Sequence, residues 1–352
     1  MKLIKLGKKL IGEKQKTFIT FEAGPTHNGY SSAKKLIESA AKSGADAIKF
    51  QIIDADRLMA DKNVLFEYKV LDKNQSITKK DPLYDLLKKR MLTRKEWTNL
   101  KKIADSLGIC FFATIGFKEE IDFVCEIGCQ SIKIASSDVN HTDLIKYASK
   151  KKINIQIDTG NSSISEIETA VNVIESTGNK NIVIHHCPSG YPAKVNNINL
   201  NIIKTLNQMF PYPIGFSDHS PGIDMDIAAI SMGASLIEKT ITENKKTKSV
   251  EHMFSIETKD CKGFVEKIRF MENAFGDSRR KFTAQELKNR KNVRRSPYVK
   301  TTAQINTPLK NLEVEFKRPA FGLSLSEFNN SKAKKLNKKL EAGSVITKGD
   351  IS

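Results

Sequence analysis

Short apolar runs recur along the chain, and each one ends at a group of polar or charged residues. Eight such runs can be traced: Phe18 to Gly29, Asp46 to Gln51, Cys110 to Thr114, Ser131 to Asp138, Asn154 to Gly160, Ile182 to Pro192, Pro213 to Ser220 and Ser235 to Thr240. Helix-like stretches of roughly a dozen residues separate most of them, and this alternation is typical of parallel β-α-β units. Eight units predict an α/β fold, a closed (β/α)₈ TIM barrel, in which catalytic side chains lie at the C-terminal ends of the strands.

One connection between the predicted strands is much longer than the others. About 60 residues separate Gln51 from Cys110, against the few residues usual in α/β loops. The second half of this connection, from Pro82 to Leu107, has a helical pattern, whereas the first half predicts a polar, irregular segment. Long insertions at the active face of a barrel often form lids or substrate loops. The insertion at residues 51–80 is therefore a candidate lid, although the pattern leaves its role open.

The alternation of strands and helices stops after Gly276, and a basic, helix-like stretch leads to a strand-and-turn pattern. We therefore predict a barrel domain at residues 1–280, a linker at 281–294 and a small second domain at 295–352. The basic N-terminal stretch has neither the apolar core nor the cleavage site of a signal peptide. It predicts a short hairpin that leads into the first strand, with a surface amphipathic helix as the alternative.

The formal net charge of +18 comes from 58 Lys and Arg against 40 Asp and Glu. No aromatic residues interleave with the basic runs and no nucleic-acid-binding motif is present. We therefore predict a lysine-rich surface that attracts anionic substrates, and no nucleic-acid partner. No apolar run approaches the ~18 residues of a membrane span, so no membrane association is expected. The five cysteines have no metal-binding spacing, and their odd number favours reduced thiols and a cytoplasmic protein.

Two lysines give the strongest chemical signal. Lys49 lies near the end of the second predicted strand, and Lys133 lies in the fourth, shortly before Ser136. A lysine in the mouth of a barrel is costly unless an anion pairs with it. The lysines and the adjacent hydroxyl group therefore predict a cradle for phosphate or carboxylate. The alternative is that both lysines form buried ion pairs with Glu22 or Asp158.

Histidines and carboxylates at the other strand ends add candidates for acid–base or metal chemistry. His219 is the best of them, because the carboxylate of the preceding Asp218 could hold its ring in one tautomer. His185 and His186 are adjacent on a strand and face opposite sides, so at most one points into the mouth. Glu251 lies in the loop beyond the eighth strand.

Six motifs, in this order, resemble those of the sialic acid synthase family: FEAGPTHNG, IKFQ, KIASSD, HHCPSGYP, GFSDHSPG and FKRPAFG. The resemblance covers nearly the whole chain, and the ending LEAGSVITKGDI resembles that of an antifreeze-like (SAF) domain at 295–352. It implies an enzyme that condenses phosphoenolpyruvate with an N-acetylated hexosamine aldehyde to give a sialic-acid-like nine-carbon keto acid and phosphate. A divalent metal, Mn²⁺ or Mg²⁺, would polarise the aldehyde, and the subunits would form a domain-swapped homodimer.

The resemblance also implies roles for individual residues. The residues that would contact substrates are Lys49, Gln51, Lys133, Ser136, Tyr191, Ser217 and Arg318. The two lysines would bind phosphoenolpyruvate, the serine of the GFSD motif its phosphate, and Gln51 and Tyr191 the sugar. Arg318 would reach the active site of the partner subunit and touch the acyl group of the sugar. The catalytic residues would be Glu22, which serves the water or proton step, the metal ligand His219, and Glu251.

The chain departs from the family pattern at two positions that matter for this chemistry. Thr240 stands where the family has its second metal-binding histidine, and a hydroxyl is a far poorer ligand for Mn²⁺ than imidazole. Asp158 stands where the family has a serine that helps to hold phosphate. Two other hypotheses therefore stay open. One is a catalytically degenerate homologue that binds a sugar or keto acid as a regulatory or partner subunit. The other is a Schiff-base aldolase that uses Lys133 or Lys49.

Overall fold

The computed structural model describes residues 3–73 and 75–352, so residues 1, 2 and 74 of the predicted barrel domain lie outside the described residues. The chain forms two compact units, residues 1–275 and 276–352. The strands of the first unit are β1 (Ile4–Leu6), β2 (Lys9–Ile11), β3 (Phe18–Glu22), β4 (Ala47–Ile52), β5 (Leu65–Asp72), β6 (Gln75–Pro82), β7 (Cys110–Ile115), β8 (Ser131–Ile134), β9 (Asn154–Asp158), β10 (Ile182–His186), β11 (Ile214–Asp218), β12 (Leu236–Thr242) and β13 (Ile256–Glu257). Its helices are α1 (Tyr30–Lys42), α2 (Ala55–Leu58), α3 (Leu83–Lys88), α4 (Arg94–Ser106), α5 (Lys118–Glu126), α6 (Thr142–Ser149), α7 (Ile164–Ser176), α8 (Asn201–Met209), α9 (Asp224–Ser231) and α10 (Cys261–Phe275).

Eight strands of the first unit form a closed parallel barrel, which confirms the prediction. Their order is β11-β10-β9-β8-β7-β4-β3-β12, and pairing of β11 with β12 closes the ring. Almost all residues of these strands are buried, as expected for parallel strands that have helices on one side and a filled lumen on the other. The register sets Glu22 beside Lys49 on one neighbouring strand and beside Thr240 on the other. Charged strand ends are thereby brought together.

The N-terminal end of the barrel lumen is closed by an apolar plug. Strands β1 and β2 form the predicted antiparallel hairpin, so the alternative of an amphipathic helix is wrong. The hairpin contributes Ile4, Leu6 and Ile11 to a buried cluster. The barrel strands contribute Phe18, Ala47, Phe112, Val183 and Leu236. The charged ends of the barrel strands lie at the opposite, C-terminal end of the lumen.

The long connection between β4 and β7, the whole of which we call the insertion from here on, is more regular than predicted. Its first half contains an antiparallel hairpin of β5 and β6, so the prediction of an irregular segment is wrong. Buried Tyr68 and Val70 alternate with exposed Glu67 and Lys69, but the polar composition of the segment obscured this period of two. The buried face packs against Leu86 of α3 and a loop residue beyond β12. The second half forms the predicted helices, α3 and α4.

Local sequence signals explain where several helices begin and end. The N-caps of α4 and α7 are Thr93 and Ser163, and each forms a reciprocal capping box with a glutamate three residues later. Helix α1 is followed by Gly44 with φ of 82°, a conformation that glycine adopts without steric cost. No helix among the described residues is long and apolar enough to cross a membrane.

The second unit is built from short elements around its own core. It contains α11 (Ala284–Val293), β14 (Ser296–Val299), β15 (Val314–Lys317) and α12 (Leu325–Asn330). Strands β14 and β15 pair antiparallel. The core consists of Val299, Ala303, Leu309, Leu323, Phe328, Leu336, Leu340 and Ile346. Arg318 follows β15 directly and is exposed.

Candidate active site

A cavity of about 370 Å³ opens at the C-terminal end of the barrel, and we call it the main cavity. Its lining includes the predicted site residues Glu22, Lys49, Gln51, Ser136, Tyr191, His219 and Glu251. Asp158 and Glu238 line it as well, and the insertion contributes Phe66, Leu83, Leu87 and Arg90. A cavity of this size with a few converging polar groups is the usual form of a small-molecule site. The insertion therefore supplies part of the wall over the barrel mouth.

Five charged side chains form a buried ion cluster at the base of the main cavity. Glu238 lies at its centre, because its two carboxylate oxygens contact Lys49 Nζ at 3.0 Å and Lys133 Nζ at 2.6 Å. Lys49 also contacts Glu22, and Lys133 lies 3.0 Å from Asp158. All five side chains are at least about nine-tenths buried. The predicted alternative of buried ion pairs with Glu22 and Asp158 is therefore present in the structure.

Burial and mutual attraction shift the pKa values within the ion cluster in different directions. Burial alone raises the pKa of Glu238, but the Lys133 and Lys49 ammonium groups outweigh it and hold that pKa well below its usual range. Burial lowers the pKa of Lys133, yet the neighbouring Asp158 and Glu238 carboxylates raise it above normal overall. Burial and the Lys133 charge lower the pKa of Lys49. Burial, with the nearby Glu238 charge, raises the pKa of Asp158. Asp158 is thus more easily neutralised than Glu238.

Hydroxyl groups complete the surroundings of Lys133. Its ammonium donates to Ser217 Oγ at 3.2 Å, and this hydroxyl donates to Glu238 at 3.0 Å. Ser136 begins a 3₁₀ turn immediately beyond β8 and lines the main cavity. Beneath them His185 hydrogen-bonds Gln156 at 2.8 Å, whereas His186 faces outward to the carbonyl of Ile198. This confirms that only one of the two histidines points inward.

Close packing around these side chains requires glycine at two positions. A Cβ on Gly215 would lie 2.7 Å from His185 Nδ1, and one on Gly24 would lie 2.6 Å from both Gln51 Cγ and Glu22 Oε1. Such separations are sterically forbidden, so a side chain at either position would displace a residue of the site. Both glycines therefore help to fix the geometry of the lumen.

His219 is oriented differently from the prediction. The Nδ1 atom of His219 lies 3.3 Å from the carbonyl oxygen of Pro188. The ring centroids of His219 and Tyr191 are 4.8 Å apart. The prediction that Asp218 holds the His219 ring in one tautomer is wrong. Successive residues at the end of β11 point to opposite sides of the strand, so the two side chains diverge. Asp218 instead contacts Lys239, which also lies 3.1 Å from the buried Asp226 and donates to the Ser220 carbonyl at 2.8 Å. This outer ion triad supports the loop that carries His219.

The side chains near His219 offer a small number of possible ligands for a divalent metal. Donation from Nδ1 to a backbone carbonyl leaves Nε2 available as a ligand. Glu251 is buried, has φ of 69° and accepts a hydrogen bond from Thr240 at 3.2 Å. No group of three or more His, Cys, Asp or Glu side chains in the described part of the chain is placed to hold a metal. The donors therefore fit a hard cation that keeps waters and substrate oxygens, and not a structural zinc.

Some features of the site were missed from the sequence. One sequence signal could have indicated that Glu238 points into the lumen. Glu238 lies two residues before Thr240, so the two side chains share one face of the strand. Phe66 and Arg90 had none, because both belong to the insertion and their position depends on how it folds back over the barrel. Arg318 belongs to the second unit.

Comparisons with known proteins agree with the barrel fold. A model of the NeuB family matches residues 36–280. A Legionella pneumophila protein named N,N'-diacetyllegionaminic acid synthase is 33% identical over 341 residues, which are 95% of this chain and 94% of the relative. The pseudaminic acid synthase of Campylobacter jejuni is 29% identical over 96% of this chain and 97% of its own. A solved N-acetylneuraminic acid synthetase from Leptospira borgpetersenii has a TM-score of 0.72 and 30% identity, and the match covers 82% of this chain and 95% of that one.

Proposed function

Because the chain belongs to the NeuB family, we propose that it condenses phosphoenolpyruvate with an N-acetylated hexosamine aldehyde, giving a nonulosonate and phosphate. The observation that carries the proposal is the pair of buried lysines and the adjoining hydroxyl groups at the base of a cavity large enough for both substrates. Relatives over nearly the full length of the chain are named as synthases of legionaminic and pseudaminic acid.

The proposed roles come from the family resemblance, and the positions of several side chains support them. Lys133 and Ser217, which hydrogen-bond each other, would hold the phosphate of phosphoenolpyruvate together with Ser136. Lys49, one strand away, would neutralise its carboxylate. Gln51 and Tyr191 lie higher in the main cavity and would contact the sugar. Ligand anions and the carboxylates of the ion cluster would then compete for the same two ammonium groups.

The reaction proposed for this site balances without an external reagent. Carbon 3 of phosphoenolpyruvate forms a bond to the aldehyde carbon, and the aldehyde oxygen takes up a proton. Water adds to the cationic carbon 2 and loses a proton to a base. The proposed base is Glu22, whose carboxylate contacts Lys49. Breaking the bond between carbon 2 and the phosphate oxygen releases inorganic phosphate and the keto acid.

We propose that a divalent cation, Mn²⁺ or Mg²⁺, is held by His219 and Glu251, with water and substrate completing its coordination. When bound, such a cation acts as a Lewis acid on the sugar aldehyde. Titration of the protein with Mn²⁺, followed by electron paramagnetic resonance, tests the site without turnover. Weaker binding to His219→Ala supports it, whereas equal binding to the variant refutes it.

Further proposals concern the second unit, which we assign to the SAF class, and the assembly. We propose a cytoplasmic, domain-swapped homodimer in which Arg318 acts on the partner's active site. Mixing an Arg318→Ala variant with a Lys133→Met variant tests this, because a heterodimer would contain one site with both intact residues. Restored activity in the mixture supports the swap, and activity no higher than that of each variant alone refutes it.

The activity itself is tested by incubating the protein with Mn²⁺, phosphoenolpyruvate and a panel of N-acetylated hexosamines, with phosphate release as the readout. Lys133→Met is the control, since it removes the proposed phosphate-binding charge. Release that needs both a sugar and Lys133 supports the proposal, and no release with any sugar counts against it. A Schiff base on Lys133 is disfavoured because the raised pKa of Lys133 keeps its amine protonated. Burial lowers the pKa of Lys49, so that lysine is the one on which the Schiff-base hypothesis rests. Absence of a covalent adduct after borohydride treatment with a keto acid would refute it.

A second candidate function is a homologue that binds a sugar or keto acid without condensing it. Two observations favour it: Asp158 forms a salt bridge with Lys133, and the Thr240 hydroxyl donates a hydrogen bond to Glu251. It predicts binding of phosphoenolpyruvate or a keto acid, measured by calorimetry, with no phosphate release. Activity that appears only in the Thr240→His, Asp158→Ser double variant would support this candidate.

A further inference from the structure

A second cavity of about 460 Å³ lies beside the main cavity, and we call it the side chamber. Its lining includes Lys79 from the β5–β6 hairpin and Lys248 and Ser249 from the loop beyond β12. The two cavities share three residues, Pro25, Leu86 and Arg90. Arg90 therefore lies in the partition between them and is within reach of a molecule in either.

Most of the charged groups around the side chamber already have partners of opposite charge. Lys79 lies 3.5 Å from Asp81. Lys248 lies 2.7 Å from Asp72. Glu243, an acidic group in the same lining, lies 3.4 Å from Lys35. The two charges of each pair cancel each other, so the pairs leave little net attraction for a ligand anion.

Arg90 differs from these groups. The structure gives its guanidinium no salt bridge among the described residues, and its hydrogen bond is donated from Nη2 to the neutral Ser249 Oγ at 3.1 Å. Burial lowers the pKa of Arg90, but an arginine side chain remains charged in proteins. The Glu251 carboxylate attracts this charge without forming a salt bridge with it, so the cost of half-burying the guanidinium is only partly offset. Its fork of five N–H donors matches the oxygens of a phosphoryl group. Lys89, the other cation of this lining without a salt bridge, is exposed at its edge.

We propose that the side chamber is an oxyanion site in which Arg90 binds a phosphoryl group. The group has two possible sources: a substituent of the acceptor sugar, or free inorganic phosphate. The first source rests on the proposed function, because the sugar would lie in the main cavity and extend its phosphoryl group past Arg90. The second does not, because inorganic phosphate would enter the side chamber alone.

Calorimetric titration with inorganic phosphate, with no other substrate present, tests the site without any turnover. We expect Arg90→Gln to weaken phosphate binding about tenfold or more, since hydrogen bonds to charged groups are among the strongest in proteins. Arg90→Lys keeps the charge but loses the fork, so its effect should be smaller. Arg57→Gln is the matched control, because Arg57 already pairs with Glu119 at 3.0 Å. No phosphate binding by the wild type, or equal binding to Arg90→Gln, would overturn the proposal.

Titration with an N-acetylated hexosamine and with its phosphate ester separates the two sources. If the sugar supplies the group, the ester binds more tightly than the free sugar and Arg90→Gln abolishes that difference. If free phosphate is the ligand, Arg90→Gln weakens phosphate binding alone and leaves both sugars unchanged. Because these measurements need no catalysis, they remain informative if the chain condenses no sugar with phosphoenolpyruvate. Unchanged circular dichroism of each variant confirms that it is folded.

Discussion

Replacement of Asp158 by asparagine removes one negative charge from the ion cluster and leaves the side chain the same size. Asp158 lies 3.0 Å from Lys133 Nζ. Two acceptors at about 3 Å from one tetrahedral ammonium are roughly 5 Å apart. At an effective dielectric of about 20, one unit charge repels another at that distance by about 3 kcal/mol. Part of this is offset by the lost attraction between Asp158 and its neighbours, so we expect Asp158→Asn to bind phosphoenolpyruvate about tenfold to a hundredfold more tightly.

The assay is calorimetric titration with phosphoenolpyruvate between pH 6 and pH 8.5, and KM where turnover is measurable. Burial raises the pKa of Asp158, as does the charge of Glu238, so a fall in pH should favour the neutral form of Asp158 in the wild type and reduce the repulsion. Wild-type affinity should therefore rise as the pH falls, and the variant should lack this component. Asp122→Asn, on the surface beside Tyr147, is the control. Weaker binding to Asp158→Asn than to the wild type would refute the reasoning.

Three further predictions concern stability, measured by urea unfolding. Glu238→Gln should lower the free energy of unfolding by about 3–5 kcal/mol, because it leaves two buried ammonium groups without their shared carboxylate; an unchanged midpoint would contradict this. Burial lowers the pKa values of His27 and His252 from 6.5 to about 4. The unfolded chain therefore binds more protons between these pH values, and stability should be lost as the pH falls from 6.5 to 4, by about 3 kcal/mol per histidine. A His27→Gln, His252→Gln double variant with the wild-type pH slope would be evidence against it. Ile11→Ala, which opens the apolar plug, should cost about 2–5 kcal/mol, whereas Leu10→Ala, at an exposed position, should cost little.

The barrel could be predicted from the sequence because its strands are short, apolar and separated by regular helical patterns, all of which are local signals. The β5–β6 hairpin was missed because residues such as Glu67 and Lys69 make it polar overall, although Tyr68 and Val70 between and beyond them are buried. Asp218 was misplaced for a related reason. Adjacency in sequence suggested contact with His219, whereas alternation along a strand sends neighbouring side chains to opposite faces.

Contacts that depend on closure of the barrel had no local signal. Glu238 reaches Lys133 and Lys49 because β12 closes the ring against β3 and β11, so the three side chains meet across the lumen. The sequence indicated that each was a charged residue in a strand, but not which charges would meet. Arg90 is a sharper case, since it follows two lysines at the end of a short helix and looks like an ordinary surface cation. Its partial burial depends on how the insertion folds against the loop beyond β12, where Ser249 accepts its hydrogen bond.

The insertion leaves the barrel after β4 and returns to it at β7, and these two strands are direct neighbours, with Ala47 beside Cys110. A change in its length or sequence therefore need not disturb the register of any barrel strand, and longer loops add only slowly to the entropy of closure. The apolar wall that it supplies, with Phe66 and Leu87, is thus separable from the charged lumen below. The shape of the cavity wall and the charged groups beneath it can diverge as independent modules of one chain.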